Sequence, residues 1–273
     1  MMQKVGSREY KLMLKASRFS GSTDEFKQAA GALWSDLAAI IIPHVISISG
    51  TEDISNKRRA VRFFDTKDHW LRANDYVFRE RIDLEESERK VTLKFRHPDR
   101  YISQDRNMAP DKKLDVDTKF EEDIKPPFEK LYSFSSNVIL PAEHKIETVS
   151  DVKDLFPGLA KAAEDLPTDG KLQVVGGFTA FERVLKGTSF EIGKDNDGDT
   201  PAECSLTLWY KAEDSDRPEV AEFSFRYESA DEDYTAGQAQ RAYNVFQALQ
   251  SELKGWVDLK SMTKTVYVYA LAK

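Results

Sequence analysis

Alternating apolar and polar residues run through much of this chain, beginning near its N-terminus. Residues 7–14 place apolar side chains on one face and polar or charged side chains on the other, which is the two-residue period of a β-strand. Similar extended patterns predict further strands, several of them close enough along the chain to be antiparallel neighbours. These strands cover residues 60–65, 76–83, 89–96, 116–124, 172–175, 178–192, 203–211 and 220–228.

Two segments have the spacing of amphipathic helices. The first covers residues 22–44, where Ser22 and Glu25 form a capping box and Pro43 ends the helix. The second covers residues 235–253. Strands that pair with their neighbours, together with these helices, predict an α+β fold.

Three segments have no clear pattern of either kind. Residues 97–113 are polar and contain two prolines, which favours an exposed loop. Residues 125–150 have no assignment, and residues 266–271 form an apolar run near the end of the chain.

At least five predicted strands have one apolar face and one charged or polar face, and this pattern permits two architectures. In an open antiparallel sheet, the charged face would contact water and the apolar face would contact the core. In a closed barrel, the apolar face would pack under helices and the charged face would line the lumen. An eight-stranded barrel has room for one small ligand.

Like charges on adjacent strands favour the barrel. Arg79 and Arg81 lie on one strand and Lys94 lies on the next, all on the charged face. Like charges that face each other destabilise a sheet, unless an anion or carboxylates from opposite strands neutralise them. Three glutamates on other predicted strands could supply those carboxylates: Glu9, Glu121 and Glu222.

Composition agrees with a folded chain that has a local anion site. Of 273 residues, 40% are hydrophobic and 11% are aromatic, so a large core is possible and a single domain over residues 1–273 is expected. The net charge of −7 argues against attraction of a nucleic acid duplex by the overall field. Any anion site must therefore be built from cationic side chains gathered in one place.

The same survey limits location and redox chemistry. Cys204 is the only cysteine, which excludes an intramolecular disulfide. No apolar run is long enough to predict a membrane span, and the first residues lack the apolar stretch of a secretory signal. We therefore expect a cytoplasmic protein, and both a monomer and a homodimer remain open.

Several motifs occur in an order that resembles the CYTH superfamily, the triphosphate tunnel metalloenzymes. That family opens with a strand reading E-x-E-x-K, and residues 7–11 read Ser-Arg-Glu-Tyr-Lys. The later matches keep the family's order, although each is weak alone. They are Phe63-Phe64-Asp65-Thr66, Arg79-Glu80-Arg81, Thr92-Leu93-Lys94, Phe120-Glu121-Glu122, the basic residues Arg183 and Lys186, Glu222-Phe223-Ser224, and a closing segment over residues 260–271.

The resemblance implies a tunnel of eight antiparallel strands with flanking helices. Family members hydrolyse inorganic triphosphate, thiamine triphosphate or RNA 5′-triphosphates, and some cyclise ATP. Basic side chains hold the phosphate oxygens, and acidic side chains hold one or two divalent metals. This arrangement agrees with phosphoryl transfer, which depends mainly on positioning and on charge neutralisation.

Carried over by position, the resemblance implies a role for each candidate residue. The phosphates would be bound by Lys11, Arg79, Arg81, Lys94, Arg183 and Lys186. Mg²⁺ or Mn²⁺ would be bound by Glu9, Glu121 and Glu222. The catalytic set would be Glu9, Lys11, Arg81 and Lys94, with a metal-bound or metal-oriented water attacking the terminal phosphorus.

Two departures from the family pattern affect the metal. Ser7 and Ser224 each stand where the family has an acid, and fewer carboxylates bind a metal more weakly. The leading hypothesis is a metal-dependent hydrolase of a small-molecule triphosphate. The alternative is a tunnel that binds polyphosphate or a nucleotide without catalysis. The sequence does not identify which triphosphate is the substrate.

Overall fold

The computed structural model describes residues 3–162, 164, 169–195 and 198–272, with the side chains of 51–56, 194–195 and 198 excepted. The strands are β1 Ser7–Leu14, β2 Ser47–Asp65, β3 Tyr76–Asp83, β4 Arg89–His97, β5 Val116–Lys125, β6 Glu129–Leu140, β7 Gln173–Asp195, β8 Gly198–Tyr210 and β9 Val220–Glu228. The helices are α1 Thr23–Ile41, α2 Trp70–Ala73, α3 Arg100–Gln104, α4 Val149–Leu155, α5 Pro157–Ala162, α6 Ala236–Glu252 and α7 Lys264–Ala270.

The strands of the described chain form a closed barrel in the order β1-β5-β6-β4-β3-β2-β7-β8-β9. The barrel confirms the closed architecture, whereas the expected count of eight strands is wrong. The ninth strand is β6, which forms within residues 125–150, where no assignment could be made. It was missed because its apolar and polar residues alternate weakly.

The nine-stranded ring is mixed, which also corrects the expected all-antiparallel barrel. A closed ring with an odd number of strands cannot alternate direction throughout, so one neighbouring pair must be parallel. That pair is β1 and β5, in which Ser7 lies opposite Glu121 and Glu9 lies opposite Asp123. All the other neighbours are antiparallel.

The core lies outside the barrel wall, between the strands and the helices. The apolar face of β1, which carries Tyr10, Leu12 and Leu14, belongs to one cluster with buried residues of α1 and α6. On another side, the outer residues of β3 and β4 cluster with those of α4 and α5. Because the apolar faces of the strands pack outwards against the helices, their charged faces point into the lumen.

Local sequence explains both long helices. In α1, the Ser22 hydroxyl accepts from the Glu25 backbone N–H while the Glu25 side chain accepts from the Ser22 backbone, and this is the predicted capping box. In α6, Thr235 and Gln238 make the same reciprocal contact. Each helix then buries one apolar stripe against the barrel.

Outside these elements, two segments gain structure that local pattern did not predict. The expected loop over 97–113 contains α3, which Asp99 caps by accepting from two backbone N–H groups. The apolar run over 266–271 lies mostly in α7, where Val268 and Tyr269 are buried. Within the described residues, no helix combines the length and apolar character that crossing a membrane requires.

The packing of α1 leads to a stability prediction. Leu37 lies on the buried face of α1 and is fully buried, so we expect Leu37→Ala to lower the free energy of unfolding by about 2–5 kcal/mol through lost burial and a cavity. Ile42, at the end of the same helix, is 62% exposed. Ile42→Ala should change the free energy of unfolding by less than about 0.5 kcal/mol. Urea unfolding measures both, and equal losses would contradict this account of the core.

Candidate functional site

The lumen gathers charged side chains from seven of the strands described above. Alternation along each strand, with the apolar residues packed outside, places these side chains inwards. The central cations are Lys11, Arg59, Arg79, Arg81, Lys94 and Arg96. The central carboxylates are Glu9, Glu121, Asp123, Glu182 and Glu222.

Lys11 lies between two carboxylates on one side of the lumen. Its Nζ is 2.7 Å from Asp123 Oδ1 and 2.9 Å from Glu9 Oε2. The two acids are held side by side because they are partners in the parallel β1–β5 pair. Burial alone would lower the pKa of Lys11, but Asp123 and Glu9 raise it above its ordinary value. The ammonium group is therefore firmly charged.

Asp123 is the most heavily contacted acid of this group. Its Oδ2 accepts a hydrogen bond from the Ser133 hydroxyl at 2.8 Å and lies 3.5 Å from Arg96 and 3.7 Å from Lys94. Burial would raise the pKa of Asp123, but Lys11, Lys94 and Arg96 hold it well below the ordinary value. Lys94 also contacts Glu121 at 3.2 Å.

Glu182 is the buried counter-charge on another side of the lumen. Its Oε1 lies 3.2 Å from Arg59 and 3.9 Å from Arg81, and its Oε2 accepts from the Trp209 indole N–H at 2.9 Å. Burial would raise the pKa of Glu182, but the charges of Arg81 and Lys264 and the indole hydrogen bond lower it to about 2. Glu182 is therefore ionised at neutral pH.

Of the lumen cations Arg79 and Arg81, Arg79 has more positive charge around it than carboxylate charge to neutralise it, whereas Arg81 lies 3.9 Å from Glu182. The Nε atoms of both are buried and have no hydrogen-bond partner in the described part of the chain. Burial lowers the pKa of Arg79 well below its ordinary value, and the charges of Arg81, Arg96 and Arg59 lower it further, with Glu182 only partly opposing them. Such a group needs an anion, because a buried unpaired charge is costly.

One end of the lumen is covered by α7. An apolar cluster that includes Met13, Val61, Phe63 and Trp209 packs against Val268 and Tyr269 of this helix. The Tyr269 hydroxyl donates to Asp65 Oδ2 at 2.7 Å, and Lys264 Nζ reaches Glu222 Oε1 at 2.7 Å. A cavity of about 300 Å³ lies alongside and is lined by Lys11, Arg96, Asp123, Glu222 and Lys264 among others. Small ligands could reach the charged centre through this cavity.

Most of the predicted phosphate-binding residues lie on the inner face of the barrel. Lys11, Arg79, Arg81 and Lys94 come together in its centre. Lys186 lies on the same face of β7 as Glu182, towards Arg226, and its side chain is more exposed than those of the other four; partial burial lowers its pKa, and so do the charges of Arg226 and Arg59. Ser7 and Ser224, which stand where the CYTH pattern has acids, are buried.

Arg183 does not face the lumen, so its expected phosphate contact is not supported. Its guanidinium carbon lies 4.7 Å from the ring centroid of Tyr210 and 5.9 Å from that of Phe26, under α1. The physical reason is strand parity, since β7 directs Glu182 inwards and the next residue must point outwards. Arg183 stands at the expected place in the order of motifs, but its side chain lies on the outer face of the strand.

Sequence reasoning also missed several lumen residues. Asp123 and Arg96 had a signal, because alternation already placed them on charged faces. Glu182 needed the phase of β7, which local pattern left undetermined. Lys264 had no local signal, because its contact with Glu222 spans 42 positions of the chain and depends on where α7 packs.

The predicted metal ligands are engaged with lysines. Glu9 contacts Lys11, Glu121 contacts Lys94, and Glu222 contacts Lys264. Across the described residues, no three acidic, histidine or cysteine side chains are grouped so that they could hold a metal ion. The side chains as arranged therefore do not fit a resident Mg²⁺ or Mn²⁺.

Comparison with known proteins gives distant structural matches only. No protein-family model matches the chain, and no curated protein matches it. A candidate adenylyl cyclase from Hippeastrum, described as having a dominant triphosphatase activity, is 11% identical over 98% of this chain and 97% of its own, with a TM-score of 0.47. A candidate adenylate cyclase from Bacillus halodurans is 14% identical over 98% of both chains, with a TM-score of 0.39.

A third match is a candidate adenylate cyclase from Vibrio parahaemolyticus, 8% identical over 98% of this chain and 99% of its own, with a TM-score of 0.39. Identities and TM-scores this low carry no argument about what this chain does. The case for its function comes from its own lumen.

The environment of Glu182 predicts a pH-dependent stability difference. Its folded-state pKa of about 2 lies below its ordinary value of 4.5, so its ionised form stabilises the fold above about pH 4.5 and this contribution is lost as the pH falls towards 2. We expect Glu182→Gln to lower the free energy of unfolding by at most about 3 kcal/mol at pH 7, and by much less at pH 3. Urea unfolding at both pH values, with the exposed Glu143→Gln as control, measures this, and a pH-independent loss would contradict it.

Proposed function

We propose that this chain is a member of the CYTH superfamily and that its tunnel binds a small-molecule triphosphate or polyphosphate. The observation that carries the proposal is the pair Arg79 and Arg81, whose buried Nε groups lack hydrogen-bond partners in the described chain. A polyphosphate would supply the missing negative charge and the missing acceptors in one ligand.

The chemistry of the lumen suits phosphate oxygens. Arginine presents a planar fork of N–H donors that matches phosphate, and lysine adds a compact positive charge. Arg79 and Arg81 would provide the fork contacts, while Lys11 and Lys94 would provide point charge from facing strands. Because the site is enclosed by the barrel wall, these contacts would act in a medium less polar than water.

The size of the lumen selects a slender ligand. The interior of a small barrel admits side chains and one small molecule, and it excludes a nucleic acid duplex. The net charge of −7 also disfavours a large polyanion bound to the outer surface. A short linear polyphosphate, free or attached to an organic group, satisfies both constraints.

Hydrolysis of the bound triphosphate is the second candidate function. Glu9 and Asp123 face the same lumen as the cations, and neighbouring charges keep both acids ionised by lowering their pKa against the effect of burial. A carboxylate beside the terminal phosphate could orient a water for attack on phosphorus, with the bridging P–O bond breaking. Lys11, Arg81 and Lys94 would neutralise the charge on the transferred and departing phosphates.

Binding is tested by thermal shift with inorganic triphosphate. We expect saturating triphosphate to raise the Tm of the wild type, because at about 100 times Kd a ligand adds about 2.7 kcal/mol of stability. Arg79→Met should abolish this shift and also raise the Tm of the ligand-free protein, since it removes a buried cation whose Nε has no acceptor among the described residues. Arg183→Met, on the outer face, is the matched control and should retain the shift. A normal shift in Arg79→Met would rule out this site.

Hydrolysis is tested by phosphate release from a panel of triphosphates with Mg²⁺, Mn²⁺ or EDTA. If the tunnel is catalytic, Glu9→Gln should lower phosphate release by on the order of 100-fold. It should leave the triphosphate thermal shift in place, because the Glu9 carboxylate orients water and does not bind phosphate. A wild type that binds triphosphate but releases no phosphate under any of these conditions would identify a binding protein.

A further inference from the structure

We propose that tethered lysine ammonium groups take the place of a resident divalent cation in this tunnel, so that triphosphate binds without a metal. The inference rests on the proposed function, because it concerns how the same lumen recognises the same ligand. It starts from the contacts of the carboxylates that would otherwise be metal ligands.

Lys11 is the first lysine whose ammonium group takes the place of a metal. Its ammonium lies within 3 Å of oxygens from both Glu9 and Asp123, the two acids that the parallel β1–β5 pair holds together. Asp123 has little capacity left, because its second oxygen already contacts Ser133, Arg96 and Lys94. A divalent cation on these oxygens would lie against a fixed positive charge.

The second lysine that takes the place of a metal is Lys264, which comes from helix α7 at one end of the lumen and not from a strand. Its Nζ lies 2.7 Å from Oε1 of Glu222, a residue only 4% exposed. The charge of Lys264 also lowers the pKa of Glu9 and of Glu182, so one ammonium serves acids on three strands. Helix α7 holds it there through Tyr269, which bonds to Asp65.

These ammonium groups leave a lumen whose acids are already neutralised. Lys94 completes the set by contacting Glu121, the third expected metal ligand. Among the central lumen charges of the described residues, Arg79 makes no ion pair and its Nε has no hydrogen-bond acceptor, while Arg81 has only the 3.9 Å contact of its Nε with Glu182. The tunnel therefore lacks negative charge, which an anion would supply. Its three expected metal ligands are already paired with lysines, so the anion does not need a bound metal.

The first test is calorimetric titration of the wild-type protein with inorganic triphosphate, in EDTA and in excess Mn²⁺. We expect binding in EDTA to be at least as tight as with Mn²⁺, because Mn²⁺ also complexes the free ligand. Binding that appears only with Mn²⁺ would overturn the inference while leaving the proposed function intact. No binding in either arm would instead overturn the proposed function.

The second test removes a tethered cation and measures Mn²⁺ binding by electron paramagnetic resonance without triphosphate. Lys264→Met removes the ion-pair partner of the buried Glu222, so we expect Mn²⁺ to bind about tenfold more tightly than to the wild type. Lys260→Met, which removes an exposed charge from the same segment, should match the wild type.

Tight Mn²⁺ binding by the wild type, or no gain in Lys264→Met that retains its circular dichroism spectrum and cooperative unfolding, would overturn the inference. If Lys264→Met does not fold, Lys264→Gln takes its place, since the amide is one atom shorter than lysine but keeps a hydrogen-bond donor near Glu222 and removes the charge.

Discussion

Mutual neutralisation of charges inside an enclosed barrel is the constraint on which this structure depends. Burying an ion without a partner is costly, so each lumen charge needs an opposite charge delivered by another strand. Lys11 between Glu9 and Asp123 satisfies this need, and so does Glu182 between Arg59 and Arg81. These pairs also explain why the acids keep low pKa values despite their burial.

After this pairing, one positive charge remains without a counter-charge, and that charge points to function. Arg79 has three cationic neighbours acting on it and one acid, and its Nε has no acceptor in the described residues. A buried cation without a counter-charge destabilises the fold, but it favours the binding of a highly charged anion. The lumen thus resembles a binding site in which the ligand supplies the last counter-charge.

The barrel wall and the helices around it make this arrangement possible. The usual distribution is reversed, because the apolar faces of the strands look outwards and pack under α1, α6, α4 and α5. At one end, α7 closes the lumen with apolar residues and also places Lys264 on Glu222. Helix packing therefore contributes to the electrostatics of the site as well as to stability.

Local pattern was sufficient to show which residues share a face, because a strand's two-residue period depends only on neighbouring positions. It was enough to group Arg79 with Arg81, to place Lys94 beside them and to predict both long helices from the spacing of their apolar residues. The number of strands could not be predicted locally, since β6 gains its stability from pairing with β4 and β5. The tertiary structure also decided that Glu182 rather than Arg183 faces inwards, and that Lys264 reaches Glu222. These outcomes depend on contacts between distant parts of the chain, which no local pattern encodes.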